Sequence, residues 1–305
     1  MGYRPNPYAA ALSTGWQTKD AREMPLAIVR WPSKDGALYP SEEVMGGIEP
    51  RAVELGYRVE RCDLSSLREL SKCLRLLYNR GIQGVFIAPV GDMQEALTLD
   101  WSRFCVMACG RYNTHTPFNT VRPEIFESTR SVMLRAAGYG YKRIGAALFR
   151  HEPPMIDDYA RLAAIQCGLV NPGDGIELHE ILLSKPEKDD HLGKWVVEKR
   201  LDAVIVFSVG QYHRLVEQGI RVSELGVATL HYHDDLYSRH ISGMDQQYFE
   251  IGCAAANHMD FMIRHHERGI PAVPRHLVIE SKWREGTTLQ RATRKLRSTR
   301  PSKKP

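Results

Sequence analysis

Three polar side chains in this sequence offer complementary chemistry for binding a small molecule. Arg161 carries a rigid fork of N–H donors that suits vicinal hydroxyls or a carboxylate, Asp234 carries acceptors only, and Gln246 carries one of each. A polyol hydroxyl needs both kinds of partner, so the set predicts a site for a small polar ligand. Asp235 is a further candidate. Each of these residues could instead have a purely structural role. Arg161 could be a surface residue of an amphipathic helix, the two aspartates could cap helices, and Gln246 could bond only to backbone.

The segment His231-x-His233-Asp234 raises the question of a metal site. Residues i and i+2 of a strand point the same way, so both imidazoles could reach one ion, with Asp234 or His213 as a third ligand. No helical His-x-x-x-His pair or cysteine partner supports this interpretation. Packing or ligand-stacking histidines are therefore favoured, and we predict no metal and no cofactor.

Catalytic and redox motifs are not apparent in the sequence. The cysteines form no Cys-x-x-Cys pair and are expected to be reduced, buried thiols; they are Cys62, Cys73, Cys105, Cys109, Cys167 and Cys253. No nucleophile elbow, Walker loop or dinucleotide-binding glycine motif follows a predicted strand. Because Asp234 and Asp235 are adjacent and diverge, they do not make a general acid and base pair. We therefore predict that the chain is not an enzyme.

Composition indicates a water-soluble protein of two compact units. The 305 residues are 43% hydrophobic and 25% charged, and no apolar run approaches the ~18 residues of a membrane span. No signal-peptide pattern begins the chain, so a cytoplasmic location without membrane association is expected. The net charge of +5 comes from seven basic residues within 291–305; without them, 34 basic residues face 36 acidic ones. This end is predicted to be a solvated, disordered basic tail.

Apolar runs of strand length alternate with segments of helical periodicity from residue 26 onward. The predicted strands are 26–31, 57–64, 84–89, 104–110, 144–149, 176–183, 203–208, 226–232 and 277–283. The predicted helices are 41–55, 67–80, 125–137, 157–170, 187–200, 212–218 and 247–267. Ser41 suits the first helix as its N-cap, and Gly56 ends it.

This alternation predicts an α/β fold of two similar, doubly wound parallel-sheet lobes with a ligand cleft between them. The loops at the ends of the strands would line that cleft. Arg161 would be exposed to the solvent that fills the open cleft. The expected organisation is a linker at 1–24, a first lobe of 25–140 plus 245–273, a second lobe of 141–244 plus 274–290, and the tail at 291–305.

Eight short segments, in the same order, resemble the lactose-repressor/galactose-repressor (LacI/GalR) family of transcription regulators. The residues from Gly2 to Leu12, GYRPNPYAAAL, resemble the junction between its DNA-binding headpiece and its hinge helix. The other segments resemble motifs of its periplasmic-binding-protein-like effector domain; they are Gly46–Tyr57, Arg80–Ile87, Gly140–Gly145, Arg161–Ala164, Tyr232–Asp235, Gln246 and Leu277–Arg284.

The resemblance implies a ligand-responsive, DNA-binding repressor that works as a homodimer. A helix-turn-helix headpiece would precede Met1, and a hinge helix at 5–13 would contact operator DNA through Asn6, Ala9 and Leu12. Effector binding would close the lobes and change the spacing of the two hinges. This chain would then be the sensing and dimerisation part of the regulator.

The resemblance also implies an effector, a sugar or related polyol, and the residues that contact it. These residues are Arg161, Asp234, Gln246, Tyr39, Ser41, Phe126, Ser208 and Asp235. Two departures from the family pattern suggest an atypical effector. Pro123-Glu124 stands where many members have an aspartate, and Val209-Gly210-Gln211 replaces an Asn-Asp pair after Ser208.

Two rival functions share the predicted fold. A periplasmic sugar-binding protein would carry a signal peptide, and the Tyr-Arg-Pro-Asn-Pro hinge segment argues against it. A sugar-modifying enzyme would need paired acids facing its substrate. The fold alone excludes neither.

Overall fold

The computed structural model describes residues 24–33, 36–88, 94–110, 116–149, 151, 155–167, 177–184, 191–232 and 239–291. The chain forms two compact units. The first unit comprises Met1–Tyr112, Thr116–Arg122 and Tyr248–Leu277, and the second comprises Asn113–His115, Pro123–Gln247 and Val278–Pro305.

Thirteen strands lie within the described residues. They are β1 (Met24–Pro32), β2 (Leu38–Tyr39), β3 (Tyr57–Asp63), β4 (Gly84–Ile87), β5 (Cys105–Cys109), β6 (Asn119–Pro123), β7 (Arg143–Phe149), β8 (Glu177–Ser184), β9 (Ala203–Ser208), β10 (Gly226–His231), β11 (Ser242–Asp245), β12 (His276–Ile279) and β13 (Lys282–Arg284).

Eight α-helices alternate with these strands in the same described ranges, and a 3-10 turn at Leu67–Glu69 precedes the second of them. They are α1 (Glu42–Glu54), α2 (Leu70–Asn79), α3 (Gln94–Leu97), α4 (Phe126–Gly138), α5 (Ile156–Cys167), α6 (Leu192–Glu198), α7 (Val209–Glu217) and α8 (Tyr248–Arg264). None of them combines the length and apolar character that a membrane crossing requires.

The sheet of the first unit has the order β12-β6-β5-β4-β1-β2, and β3 pairs with β1. β1 runs parallel to β3 and β4, β4 to β5, and β5 to β6, whereas β2 is antiparallel to β1. Every residue of β4 and β5 is buried, as expected for parallel strands covered on both faces.

The sheet of the second unit has the order β13-β11-β10-β9-β7-β8. Its strands are parallel except for β13, which is antiparallel to β11. Their carboxyl ends therefore meet at one edge of the sheet, which is where open α/β sheets usually bind ligands. The predicted α/β class with two mostly parallel sheets is confirmed.

Several predicted elements differ from those observed. The predicted strand 277–283 is two strands, because β12 joins the first sheet and β13 the second. The helix predicted to begin at residue 212 begins at Val209, so no loop follows Ser208. The prediction ended the first lobe at residue 140, whereas α4 belongs to the second unit. The reason is that its buried residues Val132, Met133 and Ala136 pack into the core of that unit.

Helices α1 and α8 of the first unit approach closely at two glycines. A Cβ on Gly47 would collide with the carbonyl of Phe249, and one on Gly252 would collide with the carbonyl of Val44. The predicted N-cap is confirmed, because Ser41 Oγ accepts a hydrogen bond from Val44 N at 3.5 Å.

Candidate ligand-binding site

Phe207 lies at the centre of a group of rings at the carboxyl edge of the second sheet. Its ring centroid is 4.9 Å from that of Phe149, at the end of β7, and 5.7 Å from that of His151. The imidazole of His231, the last residue of β10, stacks on Phe207 at 5.9 Å with an interplanar angle of 11°. Because β7, β9 and β10 are neighbouring parallel strands, residues at or next to their carboxyl ends come together here.

Arg161 packs its guanidinium over this ring group. Its Cζ lies 4.9 Å from the centroid of the Phe207 ring, within the range of a cation–π interaction. Arg161 is 1% exposed, so the expectation that it faces an open, solvent-filled cleft is wrong, as is the alternative of a surface arginine. Burial beside aromatic faces suits a guanidinium because it is less strongly hydrated than an ammonium group.

Two aspartates on the same helix balance the buried charge of Arg161. Asp157 and Asp158 stand four and three residues before it on α5, and each places a carboxylate oxygen 4.0 Å from a guanidinium nitrogen. Asp157 is itself 4% exposed. The helical spacing thus puts three charged side chains on one face of α5.

Asp158 also ties α5 to His151. His151 Nδ1 is 2.8 Å from Asp158 Oδ1, and Met155 N donates to Asp158 Oδ2 at 3.0 Å. Burial alone would raise the pKa of Asp158. The hydrogen bonds from His151 and Met155, together with the nearby guanidinium of Arg161, outweigh burial and lower the pKa of Asp158 below its usual value.

Two buried glutamines lie beside the ends of β9 and β10. Gln211 Oε1 accepts a hydrogen bond from Phe207 N at 2.7 Å, while its buried Nε2 has no hydrogen-bond partner within the described ranges. Gln246 Nε2 donates to Leu230 O at 3.1 Å. Gln211 and Gln246 are 1% and 2% exposed. We call the side chains of Arg161, Phe207, His151, His231, Asp158 and Gln211 the Arg161 cluster.

The structure locates four other predicted contact residues, two in each unit. Ser208 ends β9 at the N-cap position of α7 without a side-chain capping bond, and Phe126 is the first, partly buried residue of α4. In the first unit, Tyr39 on β2 packs against the core and Ser41 caps α1. Trp31, 2% exposed, belongs to that same core.

Other predicted residues lie outside the described part of the chain. These are the aspartates Asp234 and Asp235, His233, and the hinge residues Asn6, Ala9 and Leu12. Among the residues that are described, no group of three or more His, Cys, Asp or Glu side chains could hold a metal ion.

The sequence did not single out three members of the Arg161 cluster, namely Phe207, His151 and Asp158. Phe207 lies within an apolar strand and so reads locally as a core residue, and His151 follows the end of β7. His231 was considered only as a packing, ligand-stacking or metal-binding histidine. The one available signal was the spacing of Asp157 and Asp158 before Arg161, which places all three on one helix face. Gln211 appeared only as a departure from the family pattern.

Structural comparison finds the same architecture in transcription regulators. A LacI transcriptional regulator from Lactobacillus brevis is 16% identical, with 85% of this chain and 99% of that chain covered and a TM-score of 0.65. The fold is that of the LacI-type regulators. No family model matches the sequence, and a search of curated proteins gives no match.

Two further structures with this fold were determined with bound molecules. The lac repressor dimer bound to operator and an anti-inducer is 16% identical, with 95% of this chain and 100% of that chain covered and a TM-score of 0.67. A LacI-family regulator from Enterococcus faecium with bound ribose is 16% identical, with 88% and 100% covered and a TM-score of 0.61.

Proposed function

We propose that this chain is the sensing part of a ligand-responsive transcription regulator of the repressor type. The observation that carries the proposal is a buried, charged guanidinium held against an aromatic ring at the carboxyl edge of a parallel sheet. That edge is where open α/β sheets bind ligands. The LacI-type fold supports the regulatory role, because solved proteins of that fold include an operator-bound repressor and a ribose-bound regulator.

The ligand we propose is a small polyol or sugar bound at the Arg161 cluster. Arg161 and Gln211 Nε2 supply donors, and Asp158 supplies acceptors. Phe207 and His231 present stacked rings of the kind that commonly pack against a sugar. Gln246, Ser208 and Phe126 stay proposed contacts in the same unit. Tyr39, Ser41, Asp234 and Asp235 also stay predictions.

The binding test is a thermal-shift screen of pentoses, hexoses, polyols and sugar acids, followed by calorimetry on the hits. Arg161→Lys keeps the positive charge beside Asp157 but removes the donor fork. We expect it to weaken binding about ten- to a hundredfold, the equivalent of ~1.5–3 kcal/mol for a hydrogen bond to a charged group.

The matched control is Arg214→Ala, which removes an exposed arginine of α7 that pairs with Glu217. The Arg214→Ala variant should bind each hit from the screen with the same affinity as the wild type. If a hit binds Arg161→Lys as tightly as it binds the wild type, the site is assigned to the wrong residues. Hits restricted to metal ions would favour the His231, His233 and Asp234 alternative.

The regulatory role predicts DNA binding that responds to the ligand. We propose that operator contact is made by a headpiece together with the hinge residues Asn6, Ala9 and Leu12. The full gene product should bind a fragment of its own upstream region, and a hit from the screen should change that affinity. A product that binds the ligand but no DNA at physiological salt would favour a sugar-binding protein instead. Turnover of the ligand would favour an enzyme.

The proposed assembly is a homodimer. On α2, Leu76 is 54% exposed and Tyr78 is 37% exposed, while the opposite face of the helix is buried in the core of the first unit. A second copy would cover such surplus apolar surface across a two-fold axis. Sedimentation at tens of micromolar (roughly the range where obligate interfaces stay intact) should give the dimer mass, and Leu76→Glu should lower it. A wild-type chain that sediments only as a monomer contradicts the assembly.

A further inference from the structure

A pocket lies in the first unit between α8 and the beginning of β12. Its volume is about 310 Å³, at the lower end of the ~300–1,000 Å³ that small-molecule pockets span. Because a cavity of ~150 Å³ is enough to hold benzene, this pocket has room for one or two aromatic rings. It is lined by Ala254, Asn257, His258, Phe261, Arg275 and Leu277.

One face of α8 forms a wall of this pocket. Ala254, His258 and Phe261 follow one another at intervals of four and three residues, so they share a face of the helix. Leu277 of β12 lies across from them, and β12 ends the first sheet among the described strands. The pocket therefore lies at an edge of that sheet, and the large ring of Phe261 is 39% exposed there.

Stacked rings form the apolar part of the pocket. The imidazole of His258 lies nearly parallel to the ring of Phe261, with the centroids 5.5 Å apart and an interplanar angle of 15°. Arg275 Cζ lies 5.7 Å from the centroid of the Phe261 ring. Ala254 and Leu277 add aliphatic surface. Flat rings beside an aliphatic wall suit a ligand that is itself planar and aromatic.

The polar groups that line the pocket are mainly hydrogen-bond donors. Asn257 Oδ1 already accepts from Arg51 Nε at 2.7 Å, which leaves the Nδ2 of Asn257 as a donor. Arg275 uses Nη2 to bind Glu267, and its Nε and Nη1 donate no hydrogen bond within the described residues. A ligand that suits these groups must present acceptors.

The imidazole of His258 also lacks a partner. Its Nε2 is buried and has no hydrogen-bond partner in the part of the chain that the structure describes. Burial and the positive charge of Arg275 lower the pKa of His258, against the opposing charge of Glu267, so the ring is neutral at pH 7. An acceptor beside Nε2 would select the neutral tautomer that carries its hydrogen there, and would satisfy a buried polar atom.

We propose that this pocket binds a small aromatic carboxylate. The carboxylate would accept hydrogen bonds from Arg275 and from His258 Nε2, and the ring would pack against Phe261 and Leu277. A cationic ligand would instead meet the guanidinium of Arg275, and a ligand that only donates would leave the N–H groups of Arg275 and Asn257 unpaired.

The proposed dimer surface on α2 leaves this pocket open. Leucines of α2 pack in one core cluster with Ala27 and Val29, whereas a Cβ on Gly84 would meet Leu26 and Met259 of α8. Successive residues of a strand face opposite sides of a sheet, so α2 and α8 cover opposite faces of the first sheet. The pocket is also independent of the Arg161 cluster, which lies in the other unit.

The test uses 2-naphthoate as the probe and its uncharged analogue 2-naphthamide as the matched control compound. Ligand-observed NMR titration of the full chain at pH 7 should give a dissociation constant of about 1 mM or lower for 2-naphthoate. The amide should bind roughly tenfold more weakly or worse, because it lacks the charged acceptor. The proposal is overturned if 2-naphthoate does not bind at about 10 mM, or if the amide binds equally well.

Variants locate the site of 2-naphthoate binding. Arg275→Gln should weaken that binding about tenfold or more. Arg264→Gln is the matched control, since it removes an exposed arginine of α8 that pairs with Asp260, and it should bind like the wild type. Arg161→Lys should also bind 2-naphthoate like the wild type. An unchanged affinity in Arg275→Gln, or a loss in Arg161→Lys, contradicts the assignment to this pocket.

A measurement on the wild type alone covers the case in which Arg275→Gln fails to fold. Photolabelling with 4-azidobenzoate, an aromatic carboxylate that crosslinks where it binds, should modify residues within 254–277, and an excess of 2-naphthoate should prevent the labelling. Labelling confined to other segments, or labelling of 254–277 that 2-naphthoate does not reduce, overturns the proposal.

Discussion

Among the described residues, each unit buries one arginine near the carboxyl ends of its strands, but the two arginines are held in different ways. Arg30 of β1 is 5% exposed and makes three short hydrogen bonds, at 2.7 and 2.6 Å to Asp63 and at 2.7 Å to Glu42. Arg161 is 1% exposed and lies over an aromatic ring, with its two carboxylates at 4.0 Å.

The difference separates a structural connection from a candidate site. Arg30 links three elements, since Asp63 ends β3 and Glu42 begins α1. Its carboxylates stay accessible, with 45% and 69% of their side-chain surfaces exposed. Within the described residues, the two carboxylates nearest to Arg161 lie on its own helix, and their side chains are only 6% and 14% exposed. Arg161 also packs over the ring of Phe207 on another element, a flat face of the kind that also packs against ligands.

The largest expected effect is that of replacing Arg161 on the free energy of unfolding. Arg161→Met keeps much of the side-chain volume but leaves Asp157 buried without its counter-charge. Removing one partner of a buried ion pair costs about 3 kcal/mol or more, so we expect a loss of that size in the free energy of unfolding. Urea unfolding followed by circular dichroism measures it. A loss below ~1 kcal/mol would contradict the assignment of Arg161 as the counter-charge that Asp157 needs in its buried position.

The equivalent change in the first unit should cost less. In Arg30→Met, Asp63 and Glu42 can be rehydrated because both are partly exposed. We expect a loss of about 1–2 kcal/mol in the free energy of unfolding, and no change in the affinity of any ligand found in the screen. The same urea titration and calorimetry apply. A ligand that loses affinity in Arg30→Met would mean that Arg30 takes part in binding and is more than a structural connection.

The sequence predicts those parts of the fold that depend on local pattern. The uninterrupted apolar runs at 84–87 and 203–208 are strands that are covered on both faces. A run without alternating polar residues is the local pattern that indicates such a strand. Strands β6 and β11 were not predicted because each begins with a buried polar residue. Asn119 Oδ1 accepts from Arg275 N, and Ser242 Oγ accepts from Leu289 N. Those partners are distant in sequence, so no local pattern contains them.

The candidate site likewise has a part that the sequence predicts and a part that depends on contacts between distant segments. Arg161 was found by its resemblance to a family position and by its chemistry. Its burial depends on Phe207, which comes to it through the pairing of β7 with β9. The sequence could not show that His151 orients Asp158, since that contact depends on where the chain goes after β7. Sequence reasoning therefore identified the charge and missed the aromatic surroundings that hold it.

The smallest expected effect is on the acid sensitivity of the two units. Asp63 and Asp158 both have lowered pKa values; for Asp63 the main cause is the hydrogen bond from Arg30. A carboxyl whose folded pKa lies below its unfolded value, about 3.9, stabilises the fold fully above that value and loses this contribution as the pH falls through the folded pKa. The affected window is therefore below about pH 4.

Asp158→Asn and Asp63→Asn should each flatten the fall in melting temperature between pH 5 and pH 3, while lowering the melting temperature at pH 7. Because the two aspartates share no hydrogen-bond or ion-pair partner, the double variant should show the sum of the two changes. Differential scanning calorimetry across that range measures both effects. If the melting temperature of either variant falls more steeply with acid than that of the wild type, the pKa of the corresponding aspartate is raised in the folded protein and not lowered. Strong non-additivity would show that the two arginine regions are energetically coupled.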